Sequence, residues 1–214
     1  MAYETRSEYH RQLDQIRAGV GLQLALTDDA LVAARAAFFS GDAAAIPLAS
    51  KRTAEIVEIR ESLETLVVTQ LARQAPTGSD LRHLVSVLEI LSEVGLTAAL
   101  VWEIARRGGM GLGLHLTAPL GETSLALFER IRELWRAVAQ GYDAYEPSEE
   151  GLLVTVEAEW QACDGLRARL VAELRAGTLA APALVEMALV VRFLQRIGDH
   201  AVGTARGIDA AGSR

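Results

Sequence analysis

Asp199 and Gln195 are the residues of this sequence whose types and spacing best suit the binding of a cation. They lie four residues apart in RFLQRIGDHAVGTARG, residues 192–207, so both side chains leave the same face of a helix. Gly198 lies beside them. A helical glycine costs about 1 kcal/mol relative to alanine, which indicates close packing or a binding site. A carboxylate one turn from a second oxygen donor could help to hold a hard cation.

Composition narrows the classes of protein that are possible. The chain has 214 residues, of which 50% are hydrophobic and only 5% aromatic, a balance that favours an ordered, helical core. Its net charge is −7, and Lys and Arg are not clustered in one stretch of the chain. This excludes nonspecific nucleic-acid binding, because such binding needs a basic face that neutralises phosphates. No serine or cysteine nucleophile motif and no phosphate-binding loop occurs. We therefore predict a protein that is not an enzyme.

The number and spacing of the cysteine and histidine residues argue against an intramolecular disulfide and against a Cys/His metal site. Cys163 is the single cysteine, so it forms no intramolecular disulfide or cysteine zinc site, and we expect it to be buried. The four histidines lack metal-ligand spacing, and for His200 we expect a hydrogen bond. Long apolar runs are interrupted, for example by Glu89 and Glu93. Since the N-terminus is also polar, we predict a cytoplasmic protein.

Six helical segments are predicted, because apolar residues recur at helical spacing between recognisable breakers. They cover residues 4–39, 42–74, 79–107, 122–142, 148–175 and 182–206. A turn at 75–78, a glycine-rich non-helical stretch over 108–121 and a break over 143–147 separate them. No alternating pattern competes, so we expect no strands.

These segments predict an all-α protein of two tandem three-helix bundles, because helices joined by short connections pack antiparallel. The predicted boundaries are 1–108 for the first bundle, 109–121 for a linker and 122–214 for the second. The third and sixth helices are apolar on nearly every side, which is typical of buried helices. We expect them to meet at the centre of the molecule.

Three stretches of the chain resemble the PhoU family of phosphate-signalling regulators. LARQAPTGSDLRHLVSVLEI, residues 71–90, resembles the LARQxPxxxDLR turn of the family's first half, and FFSGD, residues 38–42, matches the break after its first helix. RFLQRIGDHAVGTA resembles the RxLERIGDHAxNIA helix that closes its second half. The resemblance covers almost the whole chain and implies the same pair of three-helix bundles.

The resemblance also implies a function. Family members repress the phosphate regulon when phosphate is plentiful, and act as adaptors between the ATPase subunit of a phosphate transporter and a membrane sensor histidine kinase. A protein of this kind would lie near the membrane only through its partners and would bind no nucleic acid. We also expect a homodimer.

Many members of the family bind metal clusters through an ExxxD pair on the last helix of each half and a DDxxD-like group on the preceding helix. In the second half of this chain, the resemblance leaves Asp164, Gln195 and Asp199 as a remnant site, for a divalent or an iron- or zinc-type ion, or for no cofactor at all. In the first half the matching positions hold no carboxylate: they are Gly95 and Ala99 on one helix and Thr53, Ala54 and Val57 on the other.

Other interpretations remain open at this stage. Arg196 is well spaced to form an ion pair with Asp199, and close approach of the fifth helix would explain Gly198. Glu89 and Glu93 could form a displaced acidic site with the ladder of Glu55, Glu58, Glu61 and Glu64 on the second helix. The eroded motifs also suit a divergent paralogue with another adaptor or scaffold role, or a metal-binding helical protein.

Overall fold

The computed structural model describes residues 2–144 and 149–212, with side chains over 7–142 and 156–211. In this part of the chain the protein is helical and contains no strand, so the all-α prediction is confirmed. The six helices are α1 (Ala2–Phe39), α2 (Ala45–Gln74), α3 (Ser79–Gly108), α4 (Ala118–Ala144), α5 (Glu149–Ala176) and α6 (Ala181–Gly212). A short 3₁₀ helix, Leu112–His115, lies between α3 and α4.

The start of α4 differs from the sequence prediction. The stretch 108–121 was expected to be non-helical, but α4 begins at Ala118. The carbonyl oxygen of Thr117 accepts hydrogen bonds from the backbone N–H groups of Leu120 and Gly121, at 3.0 and 2.8 Å. Pro119 fits this first turn because its missing N–H would have had no helical partner there.

The end of α6 also differs, because this helix continues to Gly212 instead of ending at 206. Gly207 lies so close to α3 that an added Cβ would be 2.8 Å from Cγ1 of Ile90. Packing against α3 therefore supports a turn that the glycine alone would weaken. The predicted break over 143–147 and the start of the fifth helix at 148 involve residues 145–148, which lie outside the described residues.

The helices form the two predicted three-helix bundles, α1 to α3 and α4 to α6. As predicted, α3 and α6 pack along each other at the centre of the molecule. Fully buried side chains include Phe38 and Ile90 in the first bundle, and Phe128 and Trp135 in the second. The indole N–H of Trp135 also donates to the Ile197 carbonyl oxygen at 3.1 Å, so α4 is fixed against α6.

Polar contacts join the two bundles along two lines. Between α1 and α4, Arg132 contacts Asp28 at 2.7 Å and Arg35 forms an ion pair with Glu129. Between α3 and α6, Arg107 is paired with Glu186 and His200 contacts Glu93. Because each line ties a different pair of helices, the bundles are held in one relative orientation.

The end of α3 and the segment between α3 and α4 are packed tightly against α1. A Cβ added to Gly108 would lie 2.4 Å from the carbonyl oxygen of Ala37, and one added to Gly113 would lie 2.0 Å from that of Phe38. Real Cβ atoms do not approach backbone oxygens so closely. Glycine at both positions is therefore required for this connection to follow its path.

One described helix, α3, is long and apolar enough by composition to cross a membrane, despite Glu89 and Glu93. Half of its most apolar window is buried against other helices. The core helix of a soluble protein meets the same criterion, since such a helix is apolar on every side.

Candidate functional site

The structure brings Asp164, Gln195 and Asp199 together where α5 and α6 pack against each other. The Arg167 side chain lies between two of them. Its guanidinium group donates one hydrogen bond to Oδ1 of Asp164 and another to Oε1 of Gln195. Arg192 donates a further hydrogen bond to the same Gln195 oxygen at 3.0 Å. Two of the three residues of the predicted remnant site, Asp164 and Gln195, thus accept hydrogen bonds from arginine N–H groups.

Asp199 has a different partner from the one that its spacing suggested. The indole N–H of Trp160 on α5 donates to Oδ1 of Asp199 at 2.8 Å. Within the described part of the chain no ion pair forms between Arg196 and Asp199, so that interpretation is wrong. The register of the two helices places Trp160 opposite Asp199, which the spacing within α6 alone does not reveal.

Gly198 lies against Glu159 of α5, which confirms that its role includes close helix packing. A Cβ at position 198 would lie 3.2 Å from Oε2 of Glu159. The Glu159 side chain is buried, with 2% of its surface exposed, and neither carboxylate oxygen has a hydrogen-bond partner. Burial raises the pKa of Glu159 to about 7, against the opposing effect of Arg130 and with a smaller contribution from Glu133.

Sequence reasoning missed Glu159. The signal that could have found it is its position, since Glu159 occupies the same face of α5 as Cys163, Leu166 and Leu170, all of which are buried. A glutamate on an apolar stripe is a candidate for a perturbed carboxyl group.

Cys163 is buried, as predicted. Burial raises the pKa of its thiol to about 11, although the nearby Arg167 acts in the opposite direction. A thiol in this environment stays protonated near neutral pH and is a poor nucleophile.

The corresponding region of the first bundle is a groove between α2 and α3 with a volume of about 430 Å³. Its lining includes all the positions on α2 that the resemblance assigns to metal binding, together with Ala99, Trp102 and Glu58. Gly95, the remaining position, is covered by Arg60, whose Cδ would lie 2.8 Å from an added Cβ. Uncharged residues and an arginine stem thus stand where the resemblance places ligands.

Several acidic residues of α2 and α3 have basic or histidine partners. His200 Nδ1 hydrogen-bonds to Oε2 of Glu93, which confirms the expected hydrogen-bonding role of His200. On α2, Glu55 contacts Arg52 at 2.8 Å and Glu64 lies 3.7 Å from Arg60. Across the side chains that the structure describes, no three His, Cys, Asp or Glu residues group closely enough to hold a metal ion.

The Asp164, Gln195 and Asp199 set does not fit a divalent cation in this arrangement. A hard cation needs several free oxygen ligands, whereas Asp164 and Gln195 already accept hydrogen bonds from guanidinium groups. Gln195 supplies only a neutral carbonyl oxygen, and Asp164 is on the surface with 73% of its side chain exposed. A metal ion would have to displace Arg167 before it reached these oxygens.

Comparison with known proteins shows which proteins this chain resembles. No protein-family model matches the chain. It is 25% identical over 206 residues to the phosphate-specific transport system accessory protein PhoU homolog 2 of Mycobacterium tuberculosis, covering 95% of each protein. It is 26% identical over 208 residues to PhoU homolog 1 of Mycobacterium leprae, covering 95% of this chain and 91% of the relative.

Solved structures show the same fold. PhoU from Pseudomonas aeruginosa superimposes with a TM-score of 0.82 at 19% identity, over 94% of this chain and 96% of that one. The phosphate transport system regulatory protein PhoU from Streptococcus pneumoniae gives a TM-score of 0.72 at 15% identity, over 95% and 94%.

Two consecutive three-helix bundles joined along their last helices define an all-helical protein of the PhoU-like fold. The matches cover nearly the full length of this chain and of the proteins that it resembles. The chain is similar over nearly its full length to PhoU proteins, and it shares their fold.

Proposed function

We propose that this protein is an accessory regulator of phosphate transport, which acts by binding partners and not by catalysis. The observation that carries the proposal is the full-length similarity to relatives named phosphate-specific transport system accessory proteins. The buried, protonated thiol of Cys163 and the arginine-engaged oxygens of Asp164 and Gln195 are consistent with a role based on surfaces.

The finer proposal is that the protein links the ATPase subunit of the phosphate transporter to a sensor histidine kinase and lowers phosphate-starvation signalling when phosphate is plentiful. It would do so in the cytoplasm, as a homodimer. The long helices offer extended faces for helix-on-helix binding. Light scattering of the purified protein measures the oligomeric state, and co-purification with each tagged partner measures the two contacts.

The test of function is a phosphate-regulon reporter in a deletion strain grown with abundant phosphate. We expect expression to rise in the deletion strain and to return to the wild-type level with the intact gene. Asp199→Ala should restore repression equally well, because Asp199 contacts Trp160 and is not needed for a metal. Folded Asp199→Ala protein that fails to restore repression would contradict the metal-independent part of the proposal.

A second candidate is a divergent family member recruited to another adaptor or scaffold role. This candidate is favoured because every first-half ligand position has been replaced. At one of these positions, Gly95, the side chain of Arg60 covers the site. This candidate predicts an unchanged reporter in the deletion strain, together with stable capture of proteins unrelated to phosphate uptake. An unchanged reporter would contradict the leading proposal.

A further inference from the structure

We infer that Arg60 and Arg167 are resident cations that take the place of metal ions at equivalent positions in the two bundles. Each arginine lies three residues after the last position of the eroded acidic group, Val57 in α2 and Asp164 in α5. Each reaches the first position of the eroded pair on the following helix, Gly95 in α3 and Gln195 in α6. The inference concerns cation binding and does not depend on the proposed function.

In the second bundle, the Arg167 guanidinium joins two helices in the way that a bridging metal ion would. It binds an oxygen of Asp164 on its own helix and an oxygen of Gln195 on α6. A guanidinium carries five N–H donors in a fixed plane and remains charged at all physiological pH values. It therefore supplies positive charge and hydrogen bonds to both oxygens without any dissolved ion.

Arg192 brings a second guanidinium group to the Gln195 oxygen. Its Nη1 lies 3.0 Å from the Gln195 oxygen, so two guanidinium groups converge on one neutral acceptor. A divalent ion at this oxygen would be close to both positive charges, and like charges at such distances repel. Gln195 suits this arrangement because its amide oxygen accepts hydrogen bonds without contributing a negative charge.

In the first bundle, Arg60 and a side chain at position 95 compete for one space. A Cβ on Gly95 would lie 2.8 Å from Cδ of Arg60, so a glutamate at 95 and Arg60 in this position exclude each other. The Arg60 Nη1 lies 3.7 Å from Glu64, which gives the guanidinium a counter-charge on its own helix. The arginine thus occupies the first-half position even though no carboxylate remains among the ligand positions.

The decisive experiment compares metal binding by the wild type and by a variant that carries Arg167→Ala and Gln195→Glu. The wild type, purified without chelator, should contain no stoichiometric metal by mass spectrometry, and neither EDTA nor Mn²⁺ should shift its Tm. The double variant loses the guanidinium that contacts both Asp164 and Gln195, and its new carboxylate offsets the charge of the remaining Arg192. Its Tm should rise by roughly 5–10 °C when free Mn²⁺ is about 100 times its Kd.

A matched control makes the same exchange in the first bundle, with Arg60→Ala and Gly95→Glu. Ala99 and Val57 supply no ligands there, so Mn²⁺ should leave its Tm unchanged. If the Arg167→Ala double variant does not fold by circular dichroism, Arg167→Gln with Gln195→Glu keeps more of the packing and takes its place. Retention of one metal per wild-type chain would overturn the inference, and so would a folded second-bundle variant that does not respond to Mn²⁺.

Discussion

The Nε atom of Arg107 on α3 lies 2.7 Å from Oε2 of Glu186 on α6, and this contact joins the two bundles at one end of their shared core. Only 8% of the Arg107 side chain is exposed. Its guanidinium also contacts Glu103 and lies 4.9 Å from the centre of the Phe193 ring. One buried cation thus holds two carboxylates and an aromatic face in place.

Replacing Arg107 with methionine should lower the free energy of unfolding by about 2–3 kcal/mol, because Glu103 and Glu186 would then lack their shared cation in a partly buried site. Urea unfolding followed by circular dichroism measures the loss. Arg106→Met is the matched control, since Arg106 is half exposed and forms its ion pair with Glu103 on its own helix, and it should cost no more than about 0.5 kcal/mol. Equal losses for the two variants would contradict the stabilising role of Arg107 between Glu103 and Glu186.

The buried carboxyl group of Glu159 should make stability depend on pH. Its pKa is about 7 in the folded protein and 4.5 is the ordinary value, so between these values the folded state keeps a proton that the unfolded state releases. The contribution of this group is therefore complete at low pH and is lost as the pH rises through 7.

Glu159→Gln should raise the free energy of unfolding by about 3 kcal/mol at pH 8 and change it little at pH 4.5, because glutamine never ionises. Denaturant unfolding across this pH range measures the difference. Glu157→Gln replaces an exposed glutamate two residues away and should shift stability by less than about 0.5 kcal/mol at either pH. A pH-independent effect of Glu159→Gln would argue against an ionisation difference.

Two glycines in helices should respond to alanine in opposite directions. Gly108→Ala places a methyl group 2.4 Å from the Ala37 carbonyl oxygen, so α3 must move away from α1, and we expect a loss of about 1–3 kcal/mol. Gly165→Ala in α5 meets nothing within 4 Å and should stabilise the protein by about 0.5–1 kcal/mol through helix propensity. Thermal unfolding of the two variants provides the test, and a stabilised Gly108→Ala would refute the close approach.

Cys163 should react slowly with thiol reagents while the protein is folded. The side chain is buried and burial raises its pKa to about 11, so both access and the thiolate fraction are low. We expect a disulfide-exchange reagent at pH 8 to label the native protein at least about 100-fold more slowly than the urea-unfolded chain. Similar rates in the two states would place the thiol on an accessible surface.

The helices and their arrangement could be predicted from the sequence because the signals are local. Gly41 and Gly78 mark turns with positive φ, and apolar residues on nearly every side of α3 and α6 indicate a central position. The start of α4 was missed because the glycines and Pro119 together resemble a loop. Only the hydrogen bonds to the Thr117 carbonyl reveal a first helical turn.

The chemistry of the site could be predicted less well, because it depends on the register between helices. The motif located Asp164, Gln195 and Asp199, but nothing in the spacing of α6 shows that Trp160 would contact Asp199. In the sequence, Arg167 looks like any other surface arginine of an amphipathic helix. Its position between Asp164 and Gln195 follows from how α5 lies on α6, which is a tertiary property.

The tight connection at Gly113 bears on whether bundles could be exchanged between copies of the chain. Exchange of whole bundles between chains requires the segment between α3 and α4 to open and extend as a hinge. Here that segment is wedged against the Phe38 carbonyl, and the two bundles are held by ion pairs on both sides of it. Opening this hinge would break all of these contacts at once, so the packing of the connection opposes an exchange of bundles between copies of the chain.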